Sequence, residues 1–531
     1  MTTAPVEAGR PAPVLRRRAA GLLPHRPVLA LLACAVVAAL AVPLVFTLVQ
    51  AGQAGTGQAQ RLLERPLIAT LLWNTVTLAA AVTTACCVLG FGAAYLVERT
   101  DLPGRRWWTV ALTMPLAVPE FVRGYSWVSL FRQVHGYWGA VLVMTCSLYP
   151  LVFLPVAASL RSSDTACEEV SRSLGRGPLA TLWRVTLPLS RAAVAGGALL
   201  VSLYLLGEYG AFAMLRFTTF STAIFTEYQL GFDAASAALL TLVLVLLALL
   251  LVALEGTLGR HGGRPARTGT APRSASRVRL RRWTAPAAAA LAVLVGTALG
   301  VPLYALGYWL VVGGSTTLPP ASIVDAALTT LGYAFAAALV ATAAAIPVAL
   351  YSWRRGTRWA RSLERLSYLT RALPGIAVAL SVVYVAIRYA QPLYQQPPML
   401  VAGYVVLFFP LALTALRAAL AQIPPGTEEV ARSLGAGPAT VLARVTLPLI
   451  LPGLGAAVAM VGLTASTELT ATLLLRPTGT ETLATQFWTY TSGLAYGAAA
   501  PYAALMAALS VPPVLLLTRR TLGTHHRAEK R

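Results

Sequence analysis

The stretch E-E-V-S-R-S-L-G-R-G-P-L-A-T-L-W-R-V-T-L-P-L at residues 168–189 returns at residues 428–449 as E-E-V-A-R-S-L-G-A-G-P-A-T-V-L-A-R-V-T-L-P-L. The copies lie 260 residues apart and agree at 16 of 22 positions, far beyond chance for an ungapped window. The same offset pairs Glu208 with Glu468 and Leu215-Arg216 with Leu475-Arg476. Upstream, Pro119 pairs best with Pro374 at a shorter offset, which implies a small insertion between. The chain is an internal duplication, and the segments around each copy decide its class.

Those segments are apolar. Of 531 residues, 57% are hydrophobic and 11% charged, against about 45–50% and 25% in soluble domains. A water-soluble globular protein is excluded. Apolar runs near 27–49, 67–97, 107–130, 139–160, 190–215 and 235–254, then near 285–312, 325–353, 366–388, 398–419, 449–475 and 496–517, approach or exceed the roughly 20 residues that cross a bilayer. The expectation is an all-α polytopic membrane protein with about twelve transmembrane helices in two parallel six-helix repeats. An even number of spans returns each repeat to the side it started from. The two halves are then related by an axis along the membrane normal, with a crossing pathway at their interface. The expected divisions are a basic tail 1–26, a first repeat 27–254, an Arg-rich linker 255–284, a second repeat 285–517 and a tail 518–531.

Net charge is +23, nearly all from Arg, with Lys530 the only lysine. Threading the chain alternately across a membrane puts roughly 33 of the basic residues on the N-terminal side and about 7 opposite. Both termini, the linker and the loops 161–188 and 420–448 are therefore expected in the cytoplasm. The linker, with its Gly, Pro, Ser and Arg, reads as flexible and solvated. Arg10, Arg16, Arg17, Arg18 and Arg26 precede a first apolar run too long for a signal peptide and without its cleavage pattern, so that run reads as an uncleaved span. No aromatic-interleaved basic surface points to nucleic acid. Cys34, Cys86, Cys87, Cys146 and Cys167 show no C-x-x-C spacing, and the five histidines are scattered, so no tightly bound metal is expected.

Within each repeated loop, Glu168-Glu169 and Glu428-Glu429 open a short helical pattern. Gly175 and Gly435 suit the position just past a helix end, and Pro178 and Pro438 suit the first turn of the next helix. Leu174, Leu182, Val185 and Leu187, with Leu434, Leu442, Val445 and Leu447, supply apolar knobs, while Arg172, Arg184, Arg432 and Arg444 supply charge. Two uses are open: docking into a groove on another protein, or resting on lipid headgroups. Near-identity of the two copies argues for one partner met twice.

Glu169…Gly175…Val185-Thr186-Leu187-Pro188 and its copy Glu429…Gly435…Val445-Thr446-Leu447-Pro448 resemble the E-A-A…G…I-x-L-P loop of permease subunits of binding-protein-dependent ABC importers. Val170, Val430 and Ser171 replace the usual alanines. The stretches L-L-G-E-Y-G-A-F-A-M-L-R-F at 205–217, E-L-T-A-T-L-L-L-R-P-T-G-T-E-T-L-A-T-Q-F-W at 468–488 and L-Y-P-L-V-F-L-P-V-A-A-S-L at 148–160 resemble the fused, two-copy permeases of the ferric-iron type. Thiamine and other small-solute permeases share that layout. The resemblance implies a multi-pass protein of the bacterial cytoplasmic (inner) membrane that seats two copies of an ABC ATPase subunit and receives solute from an extracytoplasmic solute-binding protein. It assigns ATPase coupling to Glu168, Glu169, Leu174, Gly175 and Pro188 with Glu428, Glu429, Leu434, Gly435 and Pro448. No cofactor is expected on this chain. No G-x-x-x-x-G-K-[ST] is present, so ATP and Mg belong to the partner and the chain is a transport subunit rather than an enzyme.

Glu120, Arg123, Glu208 and Glu468 fall in apolar runs, where an unpaired ionisable group costs at least about 2.5–3.5 kcal/mol at mid-bilayer. All four are expected to face the bundle interior or a water-filled substrate pathway; Glu120 and Arg123, at i and i+3, read either as pathway residues or, more simply, as a pair that neutralises itself. Glu208 and Glu468 occupy equivalent positions. They read either as hard oxygen ligands on the pathway, suited to a ferric ion, or as hydrogen-bond acceptors that lock their own halves. The resemblance departs here, since the family usually has Asp at position 208 and often no charge at 120 and 123. Glu227, Asp233 and Glu481 lie in outer loops where a binding protein would dock, although solvated loop charge is the plainer reading. A twelve-helix secondary carrier is the main rival function. The duplicated loop argues against it, because a carrier without an ATPase has no use for one.

Overall fold

The computed structural model describes residues 26–529 except 54, 56, 58–59, 62–63, 163–165, 230–233, 260–276, 314–319, 356, 371–372 and 425. The tail before residue 26, Asp233, the centre of the linker and Lys530 lie outside the described residues.

The first half runs α1 (Arg26–Gln53), α2 (Pro66–Arg99), α3 (Arg105–Thr113), α4 (Glu120–Leu130), α5 (Gly136–Ser162), α6 (Ala166–Ser173), α7 (Pro178–Thr181), α8 (Leu187–Gly207), α9 (Gly210–Met214), α10 (Phe220–Gln229) and α11 (Ala234–Gly259). The second repeats that order. A first span is made of α12 (Thr284–Val295) and α13 (Val301–Val312). It is followed by α14 (Pro320–Arg355), α15 (Arg358–Leu369), α16 (Gly375–Tyr389), α17 (Pro397–Leu420), α18 (Thr427–Ser433), α19 (Pro438–Val441), α20 (Leu447–Ser466), α21 (Thr470–Leu475), α22 (Leu483–Ser492) and α23 (Tyr496–Glu529). Among the described residues, 10 helices are long and apolar enough to cross a membrane. Exposed Trp73 and Trp138 sit near the starts of α2 and α5, and exposed Trp107, Trp283 and Trp359 sit at the opposite ends of the bundle. That is the two-belt arrangement of a membrane-spanning protein.

Two expected spans are broken. The run near 107–130 divides into α3, a 3-10 turn at Met114–Ala117 and α4. Pro119 precedes the first residue of α4, and a proline disfavours helical geometry in the residue before it. The run near 366–388 divides in the same way into an amphipathic α15 and an apolar α16, with Pro374 as the N-cap of α16. The runs expected at 190–215 and 449–475 are also displaced. Their helices begin inside the repeated loops, at Pro178 and Pro438, and stop at Gly207 and Ser466. Each helix passes through a π-turn, Leu182–Thr186 or Leu442–Thr446, in which Leu187 or Leu447 bonds to a carbonyl five residues back. The wide turn lies just before Pro188 and Pro448, where a regular helix would press the proline ring against a carbonyl.

The opening helix of each half crosses to the other. Ala33, Val37 and Leu40 of α1 share a core with Val348 of α14, Leu363 of α15 and Val378 of α16. Phe46 stacks on Tyr384 at 4.2 Å between ring centroids. Reciprocally, Leu306 of α13 shares a core with Phe121 and Val122 of α4. Elsewhere the halves meet through aromatic contacts. Phe487 lies 5.4 Å from Phe121 and 5.3 Å from Tyr125, and the Tyr125 hydroxyl donates to the Tyr496 carbonyl at 2.7 Å. Gly210 sits at this seam, where a Cβ would come 2.9 Å from both Phe121 and Leu469. The last residues of the linker join the fold too: the Val278 N–H donates to the Arg99 carbonyl at 2.9 Å, and the Leu280 N–H donates to Asp101 at 2.8 Å.

Candidate functional site

Both repeated loops fold alike. α6 and α18 each end in a Schellman turn. Gly175 donates to the Arg172 carbonyl and Arg176 to that of Ser171; Gly435 and Ala436 do the same with Arg432 and Ala431. The turn needs a left-handed residue. Gly175 has φ 77° and Gly435 has φ 85°, a conformation open to glycine at little cost. Extended Gly177 and Gly437 then cap α7 and α19, with Pro178 and Pro438 in their first turns.

The paired glutamates divide their labour. Glu168 and Glu428 turn inward, 3% and 8% exposed, while Glu169 and Glu429 face out. Glu168 Oε1 lies 3.3 Å from Arg99 Nε and accepts from the Thr186 hydroxyl at 3.1 Å, and its Oε2 lies 3.7 Å from Arg172. Glu428 repeats the set with Arg354 at 2.8 Å, Thr446 at 2.7 Å and Arg432 at 2.7 Å. One carboxylate thus ties the loop helix to the end of a long span and to the π-turn. Burial alone would push the Glu428 carboxyl up. The hydrogen bonds from Arg354 and Thr446 and the charges of Arg354 and Arg432 outweigh it and hold the group below its usual range.

The outward faces are apolar. Leu174 is 71% exposed and Leu434 82%, with Val170 and Val430 exposed beside them. Pro188 and Pro448 lie at the first turns of α8 and α20, just after the π-turns, and are exposed.

The charged groups in the spans gather where the halves meet. Glu208 Oε1 accepts from the Ala211 N–H at 2.7 Å and Glu468 Oε1 from the Ala471 N–H at 3.0 Å, so each caps the short helix that follows it. Glu120 accepts from the Tyr204 hydroxyl at 3.0 Å. Glu208 interacts electrostatically with both Glu120 and Glu468. Gly375, the counterpart of Glu120, lies beside Glu468, where a Cβ would stand 3.3 Å from Oε1. The cluster is therefore asymmetric, with two acids from the first half and one from the second. Glu120 and Arg123 do not close into an ion pair among the described residues. The fully buried Arg123 instead donates through Nη2 to the carbonyls of Pro115 and Val118, bracing the break before α4. The expected i, i+3 neutralisation acts through space, since Glu120 and Arg123 interact electrostatically, while the guanidinium's hydrogen bonds go to the carbonyls that the break presents.

Arg99, Arg354, Thr186, Thr446 and Tyr204 were not singled out from the sequence as partners of the site acids. Arg99 and Arg354 are separated by the same offset as Pro119 and Pro374, which is the signal that could have marked them. Of the outer acids, Glu227 lies 3.8 Å from Arg65, and Glu481 accepts from Gln486. No group of three or more His, Cys, Asp or Glu is arranged to hold a metal ion among the described residues.

Two like halves of membrane-spanning helices, each carrying the same anchored loop, define a fused two-copy transport subunit. A family profile described as "Binding-protein-dependent transport system inner membrane component" matches residues 87–261 and 341–520, and the chain belongs to that family. It is 37% identical over 509 residues to the Fe(3+)-transport system permease protein FbpB 2 of Haemophilus influenzae, covering 94% of this chain and 99% of that one. It is 27% identical over 214 residues to the Molybdenum transport system permease protein ModB of Escherichia coli K12, covering 35% of this chain and 93% of that one. It is also 29% identical over 234 residues to the Sulfate transport system permease protein CysW of Escherichia coli K12, covering 39% and 79%. The chain is thus the multi-pass permease component of a binding-protein-dependent ABC importer.

Proposed function

We propose that this permease imports ferric iron across the bacterial cytoplasmic membrane by alternating access, with both termini in the cytoplasm. Two copies of a separate ABC ATPase subunit seat on the loops around Glu168–Pro188 and Glu428–Pro448 and use ATP and Mg. An extracytoplasmic solute-binding protein delivers the ion. Glu169, Leu174, Glu429 and Leu434 make the contact. Glu168 and Glu428 hold each loop to its half, Gly175 and Gly435 set its turn, and Pro188 and Pro448 follow the π-turn that joins the loop to its span. Closure of the ATPase pair then drives the halves against each other.

The observation that carries this reading is the duplicated loop, with the same turn, the same buried glutamate and the same exposed leucine in both copies. Iron is supported by the match along nearly the whole chain to a protein named for Fe(3+) transport, and by the chemistry of the seam. Glu208 and Glu468, at equivalent positions of the two halves, carry hard oxygens suited to passing contact with a trivalent cation rather than to a metal-holding site. The ion is cargo rather than a resident cofactor, and a conduction path must bind weakly enough to release it. Uptake of radiolabelled ferric ion by cells with and without the gene, with labelled thiamine as comparison, tests the assignment. Loss of iron uptake on deletion is expected; unchanged iron uptake with loss of thiamine entry would overturn the substrate and keep the architecture.

A further inference from the structure

A cavity of about 620 Å³ opens beside the second loop. One wall is the first turns of α1, with Val28, Leu29 and Leu32; the other is the end of α14, with Trp353, Arg354 and Arg355. Glu428, Glu429 and Arg432 of the second loop complete the lining. In the first half, the place beside Arg99 is covered by the chain itself, through the bonds of Val278 to Arg99 and Asp101. There, Glu98 stands where the second half has Trp353, and it pairs with Arg161 at 2.5 Å.

The lining is amphipathic in a particular order. Val28, Leu31 and Leu32 of α1 are exposed on its bundle-outward side, so the apolar wall continues onto a surface that faces acyl chains. Arg354 and Arg432 are committed to Glu428, but Arg355 has no carboxylate partner among the described residues and rests 6.0 Å from the Tyr351 ring. With Arg354, Arg355 and Arg432 against Glu428 and Glu429, the lining keeps a net positive charge of one, and the guanidinium without a carboxylate contact is that of Arg355, next to the apolar wall of α1. Basic pockets between spans suit anionic headgroups.

We propose that this cavity is a binding site for an anionic phospholipid, with Arg355 against the phosphate and the acyl chains lying along Val28 and Leu32. Because Glu428, Glu429 and Arg432 line the cavity, the lipid touches the anchor of the second loop and leaves the first untouched. This inference does not depend on which solute is carried.

The test is native mass spectrometry of the purified full-length chain offered phosphatidylglycerol or phosphatidylcholine. Wild-type protein is expected to retain phosphatidylglycerol in preference. Arg355→Glu should lower that retention roughly tenfold or more, given about fivefold for each unit of charge, with phosphatidylcholine unchanged. Leu32→Trp, a bulkier side chain at a half-exposed position, should lower retention of both. Arg282→Glu, beside Trp283 at the same membrane surface, serves as control and should change neither. Equal retention by Arg355→Glu and wild type would overturn the proposal, as would an equal loss in Arg282→Glu. Capture of a protein segment rather than lipid by a photo-crosslinker on Leu32→Cys would also overturn it. Thermal unfolding in detergent, with Arg355→Gln as the milder variant, separates lost binding from lost folding.

Discussion

Arg354 Nη2 stands 2.8 Å from Glu428 Oε1, and 255 residues earlier Arg99 Nε stands 3.3 Å from Glu168 Oε1. The same cation at the end of the same span holds the same loop in both halves. Both partners of the first pair are nearly fully buried, so removing one leaves an uncompensated charge. Glu168→Ala is expected to destabilise its loop by about 3–5 kcal/mol. Glu168→Gln, which keeps an acceptor for Thr186, should cost less. Proteolytic accessibility of the 161–188 loop in detergent measures both; protection unchanged in Glu168→Ala would remove the anchoring role.

The Glu428 carboxyl, held below its ordinary value of 4.5, fixes the sign of a pH effect. Its contribution is complete above the ordinary value and is lost as pH falls through the depressed one. Protection of the 420–448 loop should therefore be flat from about pH 6 to 8 and fall only in acid. A loss of protection within the neutral range would contradict this arrangement.

The two glycines of each turn are not equivalent. Gly435 has φ 85° and Gly437 has φ −66°. Gly435→Ala should cost about 1–2 kcal/mol locally, the penalty of a left-handed residue with a Cβ, and should weaken assembly with the ATPase. Gly437→Ala should be close to neutral. Comparing the apparent affinity of each variant for the ATPase checks the difference.

At the seam, Gly210→Ala places a Cβ 2.9 Å from Phe121 and Leu469. Overpacking of that kind typically costs about 1–3 kcal/mol. A lower unfolding temperature with intact loop protection is the expected signature. Glu468→Gln retains an oxygen for the Ala471 N–H and should preserve the fold while slowing ferric-ion uptake. Unchanged uptake in Glu468→Gln, with uptake and stability both lost only in Glu468→Ala, would mark a purely structural acceptor.

Much of the loop was legible in the residues themselves, because its signals are local. Gly175 after a short helical pattern and Pro178 three positions on specify a turn without reference to anything distant. Glu168 and Glu169 look interchangeable in sequence. Only the helical phase of α6 relative to Arg99, on another span, separates the buried anchor from the exposed neighbour. The breaks at Pro119 and Pro374 were hidden because hydropathy runs straight through them. The crossing of α1 to the second half was hidden for a related reason: an apolar helix carries no directional record of which neighbour it meets. Arg123 shows the same limit, since its partners are carbonyls that exist as a group only once the chain has broken before α4.

The most direct measurement is ATP hydrolysis by the purified permease–ATPase complex, stimulated by loaded binding protein, in wild type and in variants carrying Leu174→Asp, Leu434→Asp or both. Each single variant is expected to weaken assembly and stimulation, and the double variant to abolish both, with unfolding temperature unchanged because both side chains are exposed. Full assembly and stimulation in the double variant would contradict the assignment of these loops as the seat of the ATPase.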